Sequence, residues 1–96
     1  MQHHVIVKFN EDVKDKDSLS NEIGNLFKGL KGTVEGVHSV SPHKNCINMQ
    51  NRYDLMIIVD MDKDALDAYS NNPIHDKWIN EYSKYLSSKV IMDYED

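Results

Sequence analysis

Polar and apolar positions alternate cleanly at the start of the chain. His3, Val5, Val7 and Phe9 share one face, while His4, Ile6 and Lys8 share the other. Period 2 with β-branched residues predicts a strand. The period then changes. Leu19, Ile23, Leu26, Phe27 and Leu30 fall on one helical stripe, with Asp17 or Ser18 as the expected cap and Gly29 or Gly32 as the expected stop. A weaker strand follows, from Val37 to about His43. Pro42 lies inside it and assigns it to a sheet edge. The polar loop Lys44 to Arg52 leads to the strongest strand, Tyr53 to Met61. Its one face is Tyr53, Leu55, Ile57, Val59 and Met61, and its other face is apolar at Met56 and Ile58.

Two helical segments come next. The first carries Ala65, Leu66, Ala68 and Tyr69, with Asp62 or Asp64 as its cap. Pro73 ends it, because proline disfavours helical geometry in the residue before it, and opens the second with Asn72 as cap. The second segment places Ile74, Trp78, Tyr82, Tyr85 and Leu86 on one stripe. A last strand is expected over Lys89 to Tyr94. The order strand, helix, strand, strand, helix pair, strand is the βαββαβ pattern of an α+β, ferredoxin-like domain occupying residues 1–96. Helices cover one face of such a sheet. Ile6, Met56, Ile58 and Ile91 are expected on the other face, which needs a second partner. The natural one is another copy of the chain.

Composition narrows the classes. The chain has 96 residues, one domain's worth, with eleven Lys and Arg against sixteen Asp and Glu and a net charge of −5. Scattered basic residues on an acidic chain argue against nucleic acid. No apolar run nears the roughly 20 residues of a membrane helix, so no membrane is expected. A lone cysteine, Cys46, and no secretory leader fit a cytoplasmic protein. Histidine and cysteine spacings match no metal motif, so no metal is expected, and no glycine pattern points to a nucleotide or other cofactor.

Several segments resemble one family. His3-His4-Val5-Ile6-Val7-Lys8-Phe9, Val34-Glu35-Gly36-Val37, Tyr53 to Asp60, Leu66 to His75 and Val90 to Glu95 are similar, in order and spacing, to the stress-responsive A/B barrel (Dabb) proteins. The family often shows a Tyr, three residues, then His-Pro-x-His; here Asn72 replaces the first of those histidines. The resemblance implies a homodimeric α/β barrel, with two sheets closed on each other and helices outside. It implies no single activity, since many members are uncharacterised and a few are enzymes, including plant olivetolic acid cyclase.

Candidate chemistry centres on Tyr69 and His75, across the Pro73 corner. An imidazole exchanges protons near neutral pH, and a phenol beside it can donate to a developing oxyanion. In the cyclase branch the matching Tyr and His form the catalytic pair. The alternative is structural, with Tyr69 filling the core and His75 holding the corner. The resemblance also makes His3 a pocket residue, and His3, Val5, Val7, Leu55 and Trp78 are the expected lining of a small apolar ligand's pocket. The cyclase branch carries a further His where this chain has Leu55, which disfavours the same polyketide cyclisation. Asp93, Glu95 and Asp96 read as solvated charge. Three functions follow: a small-molecule-binding dimer, an acid–base enzyme of cyclase or isomerase type using Tyr69 and His75, or a monooxygenase of the same dimeric fold.

Overall fold

A computed structural model describes residues 1–96. Strand β1 (Gln2–Phe9) leads through helix α1 (Lys16–Lys28) to β2 (Val37–Lys44), and β3 (Leu55–Met61) returns beside it. A 3-10 turn (Lys63–Ala65), α2 (Leu66–Ser70) and α3 (Pro73–Lys77) follow. A π turn (Trp78–Tyr82) and a 3-10 turn (Ser83–Tyr85) then lead into β4 (Leu86–Tyr94). The four strands form one antiparallel sheet in the order β2-β3-β1-β4. β3 fills the gap between β1 and β2 that the α1 crossover leaves, which is the ferredoxin-like arrangement expected.

Alternation along the two central strands builds the core. Val5, Val7 and Phe9 of β1 and Leu55, Ile57, Val59 and Met61 of β3 are at most 4% exposed. They meet Leu19, Ile23, Phe27 and Leu30 from the helix side and Tyr69, Trp78 and Tyr82 from the second helical segment. Burial of this one stripe supplies most of the drive to fold. The edge position of β2 accommodates Pro42, whose missing N–H would break a central ladder. Pro42 also fits closely under α1, where a Cβ on Gly24 would stand 3.1 Å from it.

Four details differ from the sequence-based expectations. The cap of α1 is Asp15, two residues earlier than expected, because its carboxylate accepts a hydrogen bond from the Ser18 amide at 2.9 Å. Asp62 flanks the next helical turn without capping it, and its carboxylate instead meets His38 Nε2 at 2.8 Å. The last strand starts at Leu86, so Leu86 leaves the helical stripe for the sheet.

The fourth difference concerns the open face. β4 pairs with β1 so that Ile91 stands opposite Val5, while Val90 and Met92 stand opposite Ile6 and His4. Paired residues share a face in an antiparallel ladder. Ile91 therefore lies on the helix side, and Val90 and Met92 join Ile6, Met56 and Ile58 on the open side. Val90 and Met92 are 44% and 61% exposed. The β4 register follows from the start of the strand, which hydrophobicity alone misplaces by three residues.

Candidate functional site

The corner between α2 and α3 holds the candidate residues. Asn72 accepts a hydrogen bond from the Ile74 amide at 2.9 Å, and Pro73 starts α3 behind it. This cap turns the chain sharply, so the end of α2 and the start of α3 face one another. Tyr69 and His75 come together there, with ring centroids 4.9 Å apart in edge-to-face contact. Tyr69 also meets His3, again edge-to-face, at 5.0 Å. The phenol ring thus contacts two imidazoles, one from the sheet and one from the helical corner.

A carboxylate completes the group. Asp93 Oδ1 accepts a hydrogen bond from His3 Nδ1 at 2.5 Å, linking β4 to β1 on the helix side. His3 is 4% exposed. The other ring nitrogen, Nε2, is buried without a partner. The sequence pattern alone places Asp93 among solvated charges; its side chain is 38% exposed, and strand pairing in addition sets it directly opposite His3. Period-2 alternation in the last strand is the available signal, but it needs the register to become informative.

The surroundings tune these groups. Burial, reinforced by the negative charge of Asp93, holds the Tyr69 phenol well above its ordinary range, so it keeps its proton at neutral pH. Burial lowers the His75 pKa from its usual value; Lys89 adds to this, Asp76 opposes it and His3 contributes a further lowering. The arrangement at pH 7 is a neutral imidazole beside a protonated phenol, a base next to a hydrogen-bond donor. The hydroxyls of Tyr53 and Tyr82 are hydrogen-bonded, to Ser88 and Glu22, whereas that of Tyr69 has no protein partner.

The other expected pocket residues sit elsewhere. Val5, Val7, Leu55 and Trp78 are 1–3% exposed and pack within the core cluster. Trp78 lies edge-on to Phe27 at 5.2 Å. A cleft of about 280 Å3 opens on the far side of the domain, between α1 and the loop after β2. Lys16, Asp17, Ser20, Lys44, Cys46 and Asp54 line it, so it is polar. Leu55 borders a smaller neighbouring cleft of about 140 Å3. Neither cleft includes His3, Tyr69 or His75.

With this geometry in hand, the chain can be set beside known proteins. The family-wide sequence pattern described as Stress responsive A/B Barrel Domain matches residues 1–96, the whole chain. This protein belongs to that family. Among solved structures, it is similar to a dimeric ferredoxin-like protein of unknown function from Thermobifida fusca YX (16% identity, TM-score 0.80, 97% of this chain and 87% of that one). A dimeric ferredoxin-like protein of unknown function from Jannaschia sp. CCS1 shares 20% identity at a TM-score of 0.80, with 99% and 97% of the two chains covered. A hydroxynitrile lyase from Passiflora edulis superimposes with a TM-score of 0.76 at 8% identity, covering 97% and 89%. A comparison with curated protein sequences found no match. At these identities the similar structures establish the fold alone, and one architecture serves proteins of differing activity. No helix of this Dabb domain is long and apolar enough to cross a membrane.

Proposed function

We propose that this Dabb protein is a homodimer whose corner of His3, Tyr69, His75 and Asp93 performs acid–base chemistry on a small carbonyl compound. The observation that carries the reading is the Tyr69 ring in edge-to-face contact with two imidazoles, one of them anchored by a carboxylate. In this reading His75 is the general base. Its lowered pKa keeps it neutral and able to accept a proton from a carbon next to a carbonyl. Tyr69 donates its hydroxyl proton in a hydrogen bond to the oxygen on which negative charge develops. His3 is a positioning residue, fixed by Asp93 behind the phenol. The ligand sits at this corner and not among Val5, Val7, Leu55 and Trp78, which already fill one another's space.

The dimer part of the reading rests on the open sheet face. Ile6, Met56, Ile58, Val90 and Met92 form an apolar patch there with no cover in the monomer. A second sheet laid on it buries the patch, in the closed two-fold arrangement most common among oligomers. Sedimentation tests it: the wild type should run at twice the 11.1 kDa chain mass, and Ile58→Lys should run at the chain mass. A monomeric wild type would refute the dimer.

The chemistry is tested by proton exchange. Methyl ketones in D2O should exchange their α-protons faster with the protein present. Tyr69→Phe and His75→Gln should remove the acceleration without lowering the melting temperature. Exchange that persists in the double variant, or none in the wild type, would overturn the assignment.

A further inference from the structure

Strand β4 carries a second set of groups toward the same corner. Lys89, Ile91 and Asp93 alternate onto the helix side, in register with Val7, Val5 and His3 of β1. The β1 residues are sealed under helices, at 1%, 2% and 4% exposure. Their β4 partners are not. Ile91 is 51% exposed, and Lys89 and Asp93 are exposed as well. The helical layer stops short of the edge strand and leaves a shelf beside Tyr69 and His75. The shelf has a cation at one end, an apolar middle and, at the other, a carboxylate hydrogen-bonded to His3.

Asp93 is engaged with His3. Lys16, Lys44, Lys63 and Lys77 each pair with a carboxylate; Lys89, like Lys8, Lys14, Lys28, Lys31, Lys84 and Arg52, does not, and of these it is the one whose charge reaches His75. It lies close enough to His75 for its charge to act on the imidazole, and Asp76 is the one carboxylate acting on that ring in return. An unpaired ammonium at the rim of an acid–base site is a seat for an anion. Along a strand, Lys89 and Ile91 are separated by about 6.6 Å, and Lys89 and Asp93 by about 13 Å.

We infer that the substrate of this corner is a small carboxylate-bearing carbonyl compound, an oxo acid. Its carboxylate rests on Lys89 Nζ, its apolar stem crosses Ile91, and its carbonyl meets Tyr69 and His75. The inference rests on the acid–base reading above and adds the substrate class to it. Lys89 has a second effect: its charge helps keep His75 unprotonated, and it withdraws that effect once a carboxylate neutralises it.

Octanoate and octanamide distinguish the contributions, since they share a stem and differ in charge. Binding is followed by NMR through the His75 ring Cε1–H signal of the full-length protein. Octanoate should bind about tenfold more tightly than octanamide, the advantage of a charge-assisted contact. Lys89→Leu should erase the advantage and move the His75 titration upward toward its ordinary value, and Lys89→Arg should retain both. Equal binding of acid and amide, or an advantage that survives Lys89→Leu, would overturn the oxo-acid inference and leave the acid–base corner standing. No shift of His75 with either compound would overturn the corner itself and this inference with it.

Discussion

Tyr69→Phe separates a working phenol from a structural one. The Tyr69 side chain is 2% exposed, and its hydroxyl has no protein partner. The hydroxyl oxygen is not among the buried atoms cut off from both water and partners, so its removal forfeits a water contact and little else, for a net change within about 0.5 kcal/mol. In a domain of this size, that moves the melting temperature by at most ~2–4 °C. Loss of the donor should meanwhile lower turnover about 100-fold, as for other oxyanion donors. Urea titration gives the stability change, with an unchanged m-value required, and ketone α-proton exchange gives the activity. The loss of function must appear with stability essentially unchanged. If Tyr69→Phe destabilises by more than about 1 kcal/mol, the hydroxyl holds the corner and the catalytic argument fails.

Four further outcomes follow from the same structure. Asp93→Asn leaves His3 buried without its anion; Asp93 is 38% exposed, so the loss should be about 1–2 kcal/mol in urea, and a change under ~0.3 kcal/mol would show the pair to be idle. Gly36→Ala combines a φ of +92° with a Cβ only 2.8 Å from that of Ala65 and should cost about 2–4 kcal/mol. Gly32→Ala, with a φ of +86° and open space around it, should cost about 1–2 kcal/mol; equal losses would mean that the Ala65 contact is unimportant. For His75, the folded pKa lies below the unfolded value of about 6.5, so the unfolded chain binds more protons in that window. The contribution of His75 is then complete above pH ~6.5 and declines as pH falls through that value toward the lowered one. His75→Gln should flatten this part of the stability–pH curve, and an unchanged curve would refute the assignment.

Local pattern and tertiary structure divided the work unevenly. Alternation in β1 and β3 marks both faces of the central strands because each strand is paired on both sides and buried on one. The α1 stripe and the Asn72–Pro73 break are equally local, since capping and the constraint before proline act within a few residues. Tyr69 and His75 could therefore be paired from sequence: only the corner separates them. Asp93 and Lys89 could not. Their role depends on which β1 residue each one faces, and strand register is a long-range property set by pairing across some ninety residues of chain.

The edge strand shows the boundary most clearly. Its sequence is apolar at Val90, Ile91 and Met92 in succession, so alternation cannot tell one face from the other. Pairing with β1 from Leu86 onward puts Ile91 toward the helices and Val90 and Met92 toward the open face. A slip of one residue would have moved Asp93 away from His3 and dismantled the corner. By itself, the sequence determined the elements, their order and the family, because these follow from local periodicity and short-range backbone constraints. Tertiary structure alone decided which side of β4 faces Tyr69, because only hydrogen bonding along β1 sets the register that brings carboxylate, imidazoles and phenol together.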